Sequence, residues 1–212
     1  MSPTRALYPA VLDLTGAGVT VLGAGAVALQ KLQGLPRGLA WVRVVAPQAS
    51  PAVEAWIRRR PEARLERRAF EPADLRGCRL LFCCTSDKEV NAYAARQARA
   101  LGIWTCQAAE PSQGDLQVPA VVDAAGLLVT LSTGGASPAL AKALRKRLEA
   151  WLKSSDLAWV LRQLERRRPQ LKADPVAKRR LLAALCSPAA LDLMLAPRNP
   201  VRRRRLEKLF RL

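Results

Sequence analysis

The chain has 212 residues, half of them hydrophobic, a formal net charge of +18 and no histidine. That length and apolar content bury a sizeable core in one or two domains, which excludes a disordered polyelectrolyte. No uninterrupted apolar stretch is long enough to span a bilayer, and the lack of histidine removes the commonest metal ligand and acid–base group.

Met1-Ser2-Pro3-Thr4-Arg5 is followed by no signal-type apolar core, so a cytoplasmic chain is expected. Tyr8–Leu14 reads as an edge strand or an extended arm, and Thr15–Gly18 turns the chain into a first strand. Val19-Thr20-Val21-Leu22 has the apolar character of a buried parallel strand and runs straight into Gly23-Ala24-Gly25-Ala26-Val27-Ala28. A strand entering G-x-G-x-x-A and then a helix is the dinucleotide-binding pattern. Gly23 permits the sharp turn, Gly25 lets a pyrophosphate approach the backbone, and Ala28 lets the helix pack on the strand. The helix N-terminus supplies free N–H groups to the phosphates. The same residues also make a plain strand–helix turn.

The first helix is expected from Gly25 to Leu35, ending before Pro36. Ala40–Ala46 follows as a strand. Its end, Val45-Ala46-Pro47-Gln48, lacks the acid that would bind an adenosine ribose, so a preference between NAD and NADP is not legible there. A helix over Ser50–Arg60 and strands over Ala63–Phe70 and Arg79–Cys84 come next. Asp87 caps a helix over Glu89–Leu101, and Ile103–Ala108 is a further strand. Alternating strands and helices at this spacing predict a parallel sheet covered on both faces. The strand ends carrying Gly23, Pro47, Thr85 and Ala108 should share one edge, where ligands bind in such sheets.

After Glu110 the rhythm changes. Ser112–Asp115 is a loop, and Val118–Val122 and Leu127–Ser132 are short strands joined by Asp123–Gly126. In Ser132-Thr133-Gly134-Gly135-Ala136-Ser137-Pro138, Ser137 caps a helix with proline in its first turn. This loop is either a second anion-holding glycine loop or a capped turn. The helix over Ala139–Leu152 places Leu140, Leu144, Leu148 and Trp151-Leu152 on one stripe. From Asp156 on, three or four short helices are expected, broken at Pro169, Pro175, Pro188, Pro197 and Pro200. Val201–Leu212 reads as a docking helix or a frayed tail.

The five cysteines have no framework spacing and read as reduced, buried thiols. From Ala139 onward there are 20 Lys and Arg against 6 Asp and Glu, a surplus of 14. Such a surplus attracts a nucleic acid, an acidic membrane surface or a small polycarboxylate, or else it marks solvated helix faces. The arginine runs have no nucleic-acid recognition motif and few aromatics for base stacking, so nucleic acid is not the expected partner.

Several segments together resemble the bifunctional precorrin-2 dehydrogenase / sirohydrochlorin ferrochelatase family. They are Tyr8-Pro9 with Leu12-Asp13-Leu14, Val21–Lys31, Val44–Pro47, Cys84–Asn91, Val118–Val122 and Ser132–Ala141. The resemblance implies an α/β fold: a Rossmann-like parallel sheet domain over 1–112, a small α+β dimerisation region over 113–152 and a basic helical C-terminal domain over 153–212. It implies a cytoplasmic homodimer without a membrane segment that oxidises precorrin-2 to sirohydrochlorin with NAD. In some members Fe²⁺ is then inserted as a substrate. Gly23, Ala24, Gly25, Ala26, Val27, Pro47, Gln48, Thr85 and Asn91 would line the NAD site. Thr133, Gly134, Gly135 and Ser137 would face the polycarboxylate tetrapyrrole, and no resident metal ligand is implied.

Two positions depart from the family pattern. Where relatives carry the aspartate assigned to proton removal and metal insertion, this sequence has Ala109, followed by Glu110. The expectation is that Glu110 or Asp115 supplies the carboxylate. Failing that, the chemistry runs without a side-chain base, or the chain is a tetrapyrrole and NAD carrier. Ala26 stands where relatives often have an acid.

Overall fold

The computed structural model describes residues 6–124 and 126–210. The Met1–Arg5 segment therefore lies outside the described residues. Packing divides the chain after Val118 into two compact units.

The first unit is a five-stranded sheet in the order β3-β2-β1-β4-β5. Its strands are β1 (Gly18–Leu22), β2 (Trp41–Val45), β3 (Ala63–Glu66), β4 (Cys78–Cys83) and β5 (Trp104–Gln107), and every pairing is parallel. A right-handed crossover needs a connection that returns over one face, so successive crossovers fill both faces. Helices α1 (Ala26–Gln33) and α2 (Pro51–Arg58) cover one face, where Val19, Val21, Val42, Val44, Ala28, Leu32 and Val53 form a core. Helix α3 (Lys88–Ala100) covers the other, over Leu22, Leu81, Cys83 and Leu75. The apolar runs of β1 and β4 are buried on both faces, as expected of inner parallel strands.

Tyr8–Leu14 forms no strand and takes the second of its two expected forms, an arm with Tyr8 and Val11 exposed and Leu14 packed against the first core. The third strand stops at Glu66 rather than Phe70. Arg68 instead pairs with Asp74, which is 1 % exposed in a 3₁₀ turn at Pro72–Leu75. That turn takes the place of a crossover helix between β3 and β4.

The second unit starts with an antiparallel hairpin, β6 (Ala120–Ala124) and β7 (Leu127–Leu131). Asp123 and Ala124 lie in the strand rather than in the connection, and Gly126 turns at φ +82°. Val122, Ala124, Leu127 and Val129 face Leu148 and Leu152 of α4 (Pro138–Ser154). The expected single α4 stripe is therefore split. Leu148 and Leu152 pack on the hairpin, while Leu140, Leu144 and Trp151 are 52 %, 43 % and 42 % exposed.

Four more helices follow: α5 (Leu157–Ala173), α6 (Pro175–Leu185), α7 (Pro188–Leu195) and α8 (Pro200–Leu209). Pro169 does not break α5. It stands near the C-terminal end, where one lost backbone bond costs least, and Leu164 and Leu171 on either side both pack into the helical core. Helix α8 docks rather than frays, with Leu206 fully buried and Phe210 stacked edge-on against Trp159 at 5.4 Å. Asp156, 2 % exposed, receives Arg203 of α8 and fixes that helix to the start of α5.

Candidate functional site

Backbone hydrogen bonds tie the loops after β1, β2, β4 and β5 into one edge. The Gly23 amide donates to the Val45 carbonyl at 2.9 Å, Cys84 to Leu22 at 2.9 Å, and Ala108 to Cys83 at 3.0 Å. The Ser50 amide donates to Ala24 at 3.0 Å, joining the first glycine loop to the start of α2. Gly23–Val27, Pro47–Gln48 and Thr85 thus stand together at the carboxyl ends of the parallel strands.

The two glycines of the first loop differ in kind. Gly23 has φ +91°, and a Cβ there would lie 2.7 Å from the Cys84 carbonyl oxygen. The fold itself demands it. Gly25 has an ordinary φ of −92°, and a Cβ there would meet nothing within 4 Å. Neither backbone nor neighbour requires glycine at this place, and the space beside it is open.

Gly25 also begins α1 with no side-chain cap and no acid in the first turn. Helices α2, α3 and α4 are capped by Ser50, Asp87 and Ser137. The first amides of α1 have no intrahelical partners and carry the positive end of the helix dipole. This terminus fits the phosphates of a dinucleotide. Ala28 is fully buried and lets α1 pack closely, while Gly25, Ala26 and Val27 are exposed at the mouth.

Pro47 and Gln48 are exposed after β2, with buried Ala46 ahead of them. Asn91 is 4 % exposed and acts through Thr85. Its Oδ1 accepts from the Thr85 hydroxyl at 2.8 Å and amide at 3.3 Å, and its Nδ2 donates to the Thr85 carbonyl at 3.0 Å. The loop after β4 is pinned by this exchange.

The two carboxylates named from sequence lie apart. Glu110 follows the carboxyl end of β5, where Lys88 pairs with it at 3.0 Å and the Gln113 carboxamide donates to it. Asp115 has turned back along β5. Its amide bonds the Thr105 carbonyl, and its carboxylate pairs at 3.2 Å with Arg99 in the last turn of α3. Ala109 is exposed beside Glu110. Lys88 and Gln113, which hold Glu110, were not singled out by the sequence reading; an acid one residue from the expected position was the only pointer.

Burial pushes the Cys83 and Cys84 thiols up to about 12, and the neighbouring thiols push in the same direction, so neither is a thiolate at neutral pH. The described cysteines are free, and no cluster of metal-ligating side chains occurs among the described residues. Among those residues, no helix is long and apolar enough to cross a membrane.

In the second unit, Gly134 and Gly135 have φ of +62° and +92°, and a Cβ at either would meet open space. The Ser137 amide donates to the Thr133 hydroxyl at 3.0 Å, the Gly134 amide to Ser132 Oγ at 3.2 Å, and Ser137 caps α4 through the Leu140 amide. The result is an exposed amide loop at a helix start, with Thr133, Gly134, Gly135 and Ser137 within one turn of one another.

Both units of the chain are similar to known proteins. Residues 10–120 match the family model described as putative NAD(P)-binding, and residues 127–150 match the sirohaem biosynthesis protein central model. A siroheme synthase of Gluconacetobacter diazotrophicus is 36 % identical over 149 residues, covering 68 % of this chain and 31 % of the relative. One of Methylococcus capsulatus is 36 % identical over 192 residues, covering 90 % of this chain and 40 % of the relative. The chain thus spans about a third of the length of the first curated relatives it matches. A solved structure of SirC, precorrin-2 dehydrogenase, superposes with a TM-score of 0.73 at 25 % identity, over 97 % of this chain and all of the other.

Proposed function

The chain belongs to the NAD(P)-binding family that includes the N-terminal module of siroheme synthase, and on that premise we propose that it is an NAD-dependent precorrin-2 dehydrogenase forming sirohydrochlorin. The observation that carries the reading is the likeness to a precorrin-2 dehydrogenase along the whole of that protein's chain, not over the nucleotide domain alone.

When bound, NAD supplies the hydride acceptor. The chain's own residues position and exclude. The Gly25 gap and the open start of α1 hold the pyrophosphate, with Ala24, Ala26 and Val27 around it. Pro47 and Gln48 border the adenosine, and Thr85, fixed by Asn91, borders the nicotinamide side. Glu110 is the carboxylate at that edge, and it takes the proton that leaves precorrin-2 as the hydride departs. Lys88 pairs with it and Gln113 orients it. Asp115 serves to hold Arg99.

The Thr133–Ser137 loop binds carboxylates of the tetrapyrrole through the Gly135 amide and the Thr133 and Ser137 hydroxyls, its Gly134, Ala136 and Ser137 amides being bonded within the loop. The basic second unit draws that polycarboxylate in. The exposed α4 side chains Leu140, Leu144 and Trp151, with Val121 and Leu128 on the outer hairpin face, form the surface on which a second copy packs as a homodimer. The chain works in the cytoplasm, in keeping with its free cysteines. Fe²⁺ is a second substrate if Glu110 also serves metal insertion.

The test is the absorbance of precorrin-2 mixed with the protein under anaerobic conditions, with and without NAD and Fe²⁺. The sirohydrochlorin spectrum should appear only with NAD. Binding of precorrin-2 without NAD-dependent oxidation would replace the dehydrogenase with a carrier.

A further inference from the structure

A second cleft lies along the outer flank of α3. It has a volume of about 240 Å³ and is lined by Ala92, Ala95, Arg96, Arg99, Gln107, Ser112 and Gln113. It shares no residue with the glycine loop, Pro47, Gln48, Thr85 or Asn91.

Its floor is unusual. Gln107 is the last residue of β5 and only 4 % exposed. Its neighbour Cys106 packs on the α1 and α2 face, so strand alternation turns Gln107 to the α3 face, into the cleft with Ala92 and Ala95. Among the described residues its carboxamide has no hydrogen-bond partner. The carboxamide is not sealed from solvent, so its donor and acceptor are open to whatever enters the cleft.

The rim is cationic. Arg99 is already engaged by Asp115 at 3.2 Å and by the Gln113 carbonyl at 3.2 Å. Arg96 is exposed and, among the described residues, has no ion pair. The small side chains of Ala92 and Ala95 leave room beneath it. One uncommitted guanidinium, a carboxamide below and the Ser112 hydroxyl at the side together match a planar or tetrahedral oxyanion.

We propose that this cleft is an oxyanion-binding site, in which Arg96, Gln107 and Ser112 hold a carboxylate or phosphate group. The group is either part of a free anion or one carboxylate of the tetrapyrrole. Assigning it to the tetrapyrrole rests on the dehydrogenase reading; the binding itself does not. The site is coupled to Glu110, because Gln113 lines the cleft and also donates to that carboxylate.

Calorimetric titration of the full chain with sodium acetate and with sodium phosphate, at fixed ionic strength, tests it. Saturable one-to-one binding is expected for at least one of the two. Arg96→Ala should weaken it about tenfold or more, as for a lost charge-assisted bond. Gln107→Leu should weaken it several-fold while leaving the melting temperature unchanged or higher. Arg162→Ala, an equal loss of charge in the second unit, should leave the affinity unaltered. No saturable binding, equal weakening by Arg162→Ala, or full affinity in Gln107→Leu would each overturn the site. A raised KM for precorrin-2 in Arg96→Ala would assign the site to a substrate carboxylate, and an unchanged KM to a free anion; both presuppose the calorimetric result. If the chain oxidises no precorrin-2 at all, the titrations still decide the site.

Discussion

A Cβ on Gly23 would stand 2.7 Å from the carbonyl oxygen of Cys84, whereas a Cβ on Gly25 two residues later would touch nothing. The fold requires the first glycine and leaves the second without a structural need. Gly23→Ala should therefore lower stability by more than about 1 kcal/mol, through collision and a left-handed φ. Gly25→Ala should leave stability within about 0.5 kcal/mol yet weaken NAD binding strongly. Denaturant unfolding and NAD titration of the two variants separate these effects, and a stable Gly23→Ala protein would refute the distinction.

Asp74 gives a pH dependence of defined sign. Burial pushes its carboxyl up. The bond from Arg68, the Glu71 amide and the charges of Arg68 and Arg43 outweigh burial and hold it below the usual carboxylate value. A lowered folded-state value adds stability that is complete above the unfolded value of about 3.9 and is lost as pH falls through the folded one. Asp74→Asn should cost about 1–3 kcal/mol at neutral pH and flatten the loss of stability below pH 4. Unfolding curves from pH 7 to pH 2 check both.

Much of the first unit was legible because its code is local. The apolar runs of β1 and β4, the glycine pair and the cap Asp87 stand where the sequence pattern puts them, as does the cap Ser137 in the second unit. What escaped was set by distant partners. The early end of β3 follows from Arg68 reaching Asp74, and the 3₁₀ turn at Pro72–Leu75 has no periodicity to betray it. Pro169 stays helical because Leu164 and Leu171 pack on both sides of it. Gln107 looks like an ordinary strand residue until the cleft it lines beside α3 is seen. In the candidate site, the glycine loop was readable from spacing, but the separation of Glu110 from Asp115 was not. It depends on how the chain turns back along β5 to bond Thr105.

The proposed homodimer surface is open to a direct check. Leu144→Glu places a charge among Leu140, Leu144 and Trp151 on the outer face of α4, away from the hairpin core of Leu148 and Leu152. Sedimentation should show the parent chain as a dimer and the variant as a folded monomer, with unchanged helical circular dichroism. A parent chain that sediments as a monomer at all accessible concentrations would remove the proposal.

Ser137 joins the amide loop to α4. Ser137→Ala loses the cap on the Leu140 amide and should cost about 1 kcal/mol, together with weaker tetrapyrrole binding. Gly135→Ala meets no neighbour but is strained at φ +92°, and it should likewise weaken binding. Quenching of tetrapyrrole fluorescence measures the affinity, and unchanged affinity in both variants would remove the loop from the site.

The most direct measurement is the anaerobic rate of NAD-dependent precorrin-2 oxidation by the parent chain and by Glu110→Gln. The parent should form sirohydrochlorin only when NAD is present. The variant should fall by about 10²–10⁴ in rate, as expected for loss of a general base, with NAD affinity retained. An absence of oxidation by the parent chain would contradict the dehydrogenase. Full activity in Glu110→Gln would contradict the role given to the carboxylate beside Ala109.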